Sequence, residues 1–254
     1  MLLRAVETGE GRPLVLLHGL FGQAQNFAAV QKTLAANGRR VIALDLRNHG
    51  QSPHAAAMDY PAMAADVAET LDAVLGDAPV DLLGHSMGGK VAMTLALTRP
   101  ARVARLVVAD IAPVDYPPAF RPYAAAMQAI PLQEGLTRRE ADAALAEAVP
   151  NPGVRAFLLQ GLRFDPPAWR IGLDEIAAAL PVIEAAPPFA EGARFDGPVL
   201  ALGGEKSDYI REELRPVFRQ YFPAVRFGTV KGAGHWLHAE KPEGFVAAVE
   251  MFLK

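Results

Sequence analysis

The chain contains no cysteine. That excludes disulfides, thiolate metal sites and a cysteine nucleophile. Serine is nearly as scarce, with Ser52, Ser86 and Ser207 the only three. Neither sign of charge is in excess: 25 basic residues stand against 28 acidic ones, for a formal net charge of −3. A nucleic-acid binder shows a basic face, so no nucleic-acid partner is expected. No apolar run approaches the ~18 residues of a membrane span. The opening Met1-Leu2-Leu3-Arg4-Ala5-Val6-Glu7 lacks the basic start and apolar stretch of a secretory signal, which makes a cytoplasmic location the expectation. There is no internal repeat and no low-complexity linker. What the chain does have is 254 residues, 51% of them apolar. A chain of that size can bury roughly 70–75% of its unfolded surface and needs no staples.

Short apolar runs alternate with helical patterns. Residues 13–17, 40–44, 80–83, 105–109, 198–202 and 226–230 read as strands. They are solid apolar runs rather than alternating ones, as strands are when helices cover both sheet faces. Helical patterns occupy 27–36, closed by Asn37-Gly38, and 90–98, 212–221 and 243–253. Another opens at Asp59-Tyr60-Pro61, where an early proline costs nothing, and places Met63, Val67, Leu71 and Val74 on one face. This alternation predicts an α/β fold with a parallel, doubly wound sheet. The rhythm breaks between Ala112 and Gly192, where no strand is evident. That stretch holds 12 of the 21 prolines, which divide it into short helices over 119–128, 138–148, 154–162 and 169–180. The expected organisation is a core of residues 1–111 and 193–254 with a helical cap, 112–192, inserted between.

Gly84-His85-Ser86-Met87-Gly88 lies between a strand and a helix. It is a G-x-S-x-G sequence in the context its mechanics require, a tight strand-to-helix turn that lifts the serine out of the sheet. Positions two before and two after the serine must be small, and both are glycine. The following helix points its first N–H groups at a developing oxyanion. His18-Gly19-Leu20-Phe21-Gly22 ends an earlier strand. The N–H groups of Leu20 and Met87 are the natural oxyanion donors, with Phe21 as the alternative to Leu20. A serine hydroxyl needs a base and an orienting acid. His235, in Gly232-Ala233-Gly234-His235-Trp236, follows the last strand and is the expected base, with His238 three residues on as fallback. Two acids end strands on the side where α/β sites gather, Asp110 and Asp208. Asp174, in the cap, is a third.

Together these residues resemble the α/β-hydrolase superfamily over essentially the whole chain. More narrowly, His18-Gly19-Leu20-Phe21-Gly22, Asp45-Leu46-Arg47-Asn48-His49-Gly50, His85-Ser86-Met87-Gly88-Gly89-Lys90 and Ser207-Asp208-Tyr209 look like the bacterial YbfF-type esterases. The resemblance implies a mostly parallel eight-stranded sheet flanked by helices, with a helical cap. It implies hydrolysis of a small-molecule carboxylic ester or thioester through an acyl-enzyme, with no cofactor and no metal. Many relatives carry the acid in a Gly-x-x-Asp pattern after the next-to-last strand. Here Ser207 stands at that place and Asp208 is one residue late. Asp110 is therefore the preferred acid and Asp208 the alternative. The same scaffold supports haloperoxidase-like chemistry and carbon–carbon bond hydrolysis, whereas dehalogenation and epoxide opening want a carboxylate where Ser86 stands. Outside enzymes, the alternative is a ligand-sensing module on the hydrolase scaffold. Phe120, Tyr123, Met127, Phe157, Leu158, Phe164 and Trp169 could line an acyl pocket or pack the cap, and Arg121, Arg155 and Arg163 could meet an anionic leaving group or solvent.

Overall fold

A computed structural model describes all residues, 1–254. In chain order the core runs β1 (Ala5–Thr8), β2 (Arg12–Leu17), α1 (Ala28–Ala36), β3 (Arg39–Leu44), α2 (Tyr60–Leu75), β4 (Val80–His85), α3 (Met87–Thr98) and β5 (Val103–Ala109). An excursion follows with α4 (Arg121–Gln128), α5 (Arg138–Leu145), α6 (Pro152–Leu158), β6 (Leu162–Phe164), β7 (Pro167–Trp169) and α7 (Leu173–Glu184). The core resumes with β8 (Val199–Gly204), α8 (Arg215–Tyr221), β9 (Val225–Val230), α9 (Leu237–Glu240) and α10 (Pro242–Phe252).

One sheet carries seven strands in the order β1-β3-β2-β4-β5-β8-β9. All pairs are parallel except β1 with β3. Strand side chains alternate between two cores: Val15, Leu17, Ile42 and Leu44 join the larger cluster, while Leu14, Leu16, Val41 and Ala43 join the smaller. The first packs under α2, α3 and the excursion, the second under α1 and α10. Burial on both faces is why the strands read as solid apolar runs. After β2 the chain passes through α1 to β3 on one side, then returns through α2 to β4 on the other. The carboxyl ends of β2 and β4 thus flank the switch point, where open α/β sheets bind ligands.

Several sequence expectations need correction. The sheet has seven strands, not eight. Ahead of β1, Leu3 and Arg4 give their N–H groups to the Thr70 and Ser52 hydroxyls instead of to a further strand. The segment 112–192 is not free of strands, because β6 and β7 form an antiparallel hairpin. Pro181 lies inside α7, although proline was expected to divide helices. It falls in the last turn with its ring exposed, so it removes a single bond near a helix end. On α2, Met63, Val67 and Leu71 are buried, but Val74, in the last turn, is exposed.

Candidate active site

Ser86 stands on the turn between β4 and α3 with φ 52° and ψ −122°, a conformation that costs a non-glycine residue energy. The turn is held by its neighbours. The Ser86 N–H donates to the Ala109 carbonyl at 2.9 Å, and Gly84 and Gly88 give it room. A Cβ on Gly84 would sit 2.1 Å from the Gly88 oxygen, and one on Gly88 would sit 2.4 Å from the Leu17 oxygen. The sequence rule of small residues two either side of the serine thus has a structural cause: the elbow is pressed against itself and against β2.

His235 reaches Ser86 from the loop between β9 and α9. Its Nε2 lies 3.2 Å from Ser86 Oγ and its Nδ1 2.7 Å from Asp110 Oδ2. A carboxylate can only accept, so Nδ1 carries the proton and Nε2 is left to accept from the serine. Asp110 directly follows β5, is fully buried and has φ 52°. Its Oδ1 accepts from the Gly204 N–H at 3.0 Å, and its Oδ2 also accepts from the Ser207 hydroxyl. Asp208 is exposed, and Asp174 is exposed on α7 and accepts from Gln128. Of the three acids, Asp110 alone touches His235.

The loop of His235 is tied down as well. The His85 imidazole donates from Nε2 to the His235 carbonyl at 2.8 Å. The Tyr209 ring stacks on the His235 ring, with centroids 4.2 Å apart and planes 25° from parallel. His238, the fallback base, is buried against Phe27 and His85, with burial pushing it down to about 4. It makes no hydrogen bond to Ser86, whose Oγ is bonded to His235. Sequence reasoning did not anticipate Tyr209 or the bond from Ser207 to Asp110. The absence of aspartate at position 207 was the signal: Ser207, which stands there instead, donates to Asp110 on the neighbouring strand's end.

The candidate oxyanion donors lie on two backbones. Met87 is the first residue of α3, where helix geometry leaves the N–H without an intrahelical acceptor. The Leu20 N–H donates to no protein atom. Phe21, the alternative, is already engaged: its N–H donates to His49 Nε2 at 3.1 Å. His49 in turn donates from Nδ1 to the Arg47 carbonyl, and His18 bridges Gly19 O and the Leu46 N–H in the same fashion. Burial holds these imidazoles neutral, His18 down to about 4 and His49 to about 3. They are scaffolding for the His18–Gly22 loop. Gly19 lies close against the elbow there: a Cβ on it would come 3.1 Å from His85 Nδ1 and 3.2 Å from Ser86 Cβ.

Ser86 opens into a cavity of about 230 Å³, bounded by the His18–Gly22 loop, Phe120, Tyr123, Phe157, Leu158 and Trp236. Of the seven apolar residues expected from segment 112–192, Phe120, Tyr123, Phe157 and Leu158 do line it. Met127 is fully buried in the core, and Phe164 and Trp169 pack against that core. Arg155 is spent on Asp142 and two carbonyls, Arg163 on the Pro166 carbonyl, and Arg121 is exposed away from the cavity.

A family model described as alpha/beta hydrolase fold matches residues 12–146. The sn-1-specific diacylglycerol lipase ABHD11 of Xenopus laevis is 43% identical over 253 residues, spanning 96% of this chain and 80% of that one. Esterase YbfF of Escherichia coli K12 is 37% identical, spanning 95% of this chain and 92% of its own. A solved marine microorganism esterase superposes with a TM-score of 0.93 at 35% identity, each chain covered to 99%. The chain belongs to the α/β-hydrolase family. Within that family it is of the YbfF type, a carboxylesterase-type hydrolase. No helix is long and apolar enough to cross a membrane.

Proposed function

We propose that the chain hydrolyses carboxylic esters or thioesters through a Ser86-His235-Asp110 triad and an acyl-enzyme. The observation that carries this is the continuous hydrogen-bonded relay from Ser86 Oγ through His235 to buried Asp110, at 3.2 and 2.7 Å. His235 takes the serine proton as Oγ attacks the carbonyl carbon. The oxyanion is received by the Leu20 and Met87 N–H groups, an interaction worth ~3–4 kcal/mol per donor in comparable sites. His235 then protonates the departing alkoxide or thiolate. Water attacks the acyl-enzyme with His235 again as base, which frees the acid and restores Ser86. Asp110 holds the imidazole in the productive tautomer and stabilises its cation.

In this reading segment 112–192 is the cap. Phe120, Tyr123, Val154, Phe157 and Leu158 reach from it over the sheet edge to roof the cavity. The substrate is a small ester or lipid ester with an apolar portion. Covalent labelling with a fluorophosphonate probe, followed by peptide mass spectrometry, tests the assignment. An adduct on Ser86, absent after heat denaturation and absent in Ser86→Ala, is the expected result. Ser86→Ala should lose at least about three orders of magnitude in kcat/KM with unchanged thermal midpoint. Folded protein that takes no label, or a Ser86→Ala variant as active as the parent, overturns it.

A further inference from the structure

The space around Ser86 has two lobes. The large one, about 230 Å³, includes His235, Phe157, Leu158 and Trp236 in its lining. It adjoins an open, more polar mouth between Gln25, Asn151, Gln160 and Glu240. The small one, about 40 Å³, lies between Ser86, Met87, Lys90, Ile111, Ile183 and Tyr209. His235 is absent from its lining.

That asymmetry orders the substrate. At the tetrahedral carbon one oxygen faces the Leu20 and Met87 N–H groups. The leaving oxygen must come within hydrogen-bond reach of His235 Nε2 to take its proton. The alcohol or thiol therefore lies on the His235 side, in the large lobe. One substituent remains, the acyl chain, and one space remains, the small lobe. One water-sized group needs roughly 10–15 Å³, so the small lobe holds about three such groups.

Its walls cannot yield easily. The end of α7 is fastened to the core by three buried groups. Tyr60 donates its hydroxyl to the Ile183 carbonyl. Lys90, one helical turn past Ser86 and almost fully buried, donates to the Ala185 carbonyl at 2.6 Å and the Glu184 carbonyl at 3.3 Å. Glu184 Oε1 then accepts from the Ala119 and Phe120 N–H groups at 2.7 and 3.0 Å. On the facing side Tyr116 donates to the Tyr209 carbonyl at 2.7 Å. Widening the lobe would strand these buried groups without partners, at a cost buried polar groups do not bear cheaply.

We infer that the small lobe is the acyl subsite and that the enzyme selects short acyl groups, acetyl to butyryl, carried on bulky apolar alcohols or thiols. This rests on the Ser86-His235 reading above. The test is kcat/KM for 4-nitrophenyl acetate, butyrate, hexanoate, octanoate and laurate, which share one leaving group. Acetate or butyrate should exceed octanoate at least ten-fold. Ile183→Ala, and the milder Ile111→Val should the first fail to fold, should raise hexanoate relative to butyrate several-fold. Phe157→Ala, in the large lobe, should leave that ratio within two-fold and change the ranking among acetate esters of small and large alcohols. Preference for octanoate or laurate overturns the inference, as does a shift in acyl ratio from Phe157→Ala instead of from the small-lobe variants. Fluorophosphonate labelling of each protein separates the two levels. Label on Ser86 with the wrong chain-length profile defeats the subsite alone; no label defeats the underlying mechanism and the subsite with it.

Discussion

Asp110 has no exposed surface, and its carboxylate accepts from the Gly204 N–H, the Ser207 hydroxyl and His235 Nδ1. Its orientation is therefore fixed before any substrate arrives, which is what an imidazole-orienting group requires. Asp110→Asn would keep the shape but offer an N–H or a weaker acceptor to Nδ1 and favour the wrong tautomer. In triads of this kind that substitution costs up to ~10⁴-fold in kcat, and a similar loss is expected here on a short-chain ester. Asp208→Asn changes an exposed side chain with no bond to the relay, so its kcat/KM should stay within two-fold of the parent. The reverse pattern would move the acid to position 208. At this scale Ser86 and His235 were legible because their chemistry sits in local motifs. The choice between Asp110 and Asp208 rests, in the sequence, on a one-residue offset. Tyr209 stacking on His235 was illegible, because nothing in one sequence says which aromatic will lie over a ring 26 positions away.

Elements show the same division between local and nonlocal information. The parallel strands were readable because burial on both faces imposes solid apolar runs. β1 was not: it is four residues long, antiparallel and at the sheet edge, with Glu7 and Thr8 exposed. The β6–β7 hairpin was hidden by the prolines at 166 and 167, and α7 was expected to end before Pro181, where the absent N–H proves tolerable one turn from the helix end. The joint between α3 and β2 gives the sharpest element-scale prediction. A Cβ at position 88 would meet the Leu17 and His18 carbonyl oxygens at 2.4 and 2.5 Å, backbone atoms where β2 runs into the loop that carries Leu20. Gly88→Ala must push α3 away from β2. Overpacking of this kind costs about 1–3 kcal/mol, to be read from a urea unfolding midpoint. Activity should fall further than the lost stability accounts for, since the Met87 N–H moves with the helix. An alanine variant of parental stability and rate would show that the joint is slack.

Across the whole molecule, four of the six histidines are buried and neutral. Burial is the leading cause in each: His18 and His238 are brought down to about 4, His49 to about 3, and His85 well below its usual value, with neighbouring imidazoles adding to the effect for His49, His85 and His238. In the unfolded chain each would titrate near 6.5. Below that pH the unfolded state binds up to four protons that the folded state refuses, and stability must fall as pH falls. Each such proton is worth a little over ~1 kcal/mol per pH unit, so the four together remove about 5 kcal/mol per unit once fully engaged. Domains are stable by only about 5–15 kcal/mol. The thermal and urea midpoints, on this count, change little between pH 7 and 8, drop steeply below pH 6.5, and end in cooperative acid unfolding. The slope of unfolding free energy against pH reports the number of protons directly, and it should approach four. His18→Asn should lower that slope by about one. A protein that keeps its full stability down to pH 5 would mean that these imidazoles are charged or solvated in the fold, and that the His18–Gly22 loop is held by something other than the neutral tautomers that fix it here.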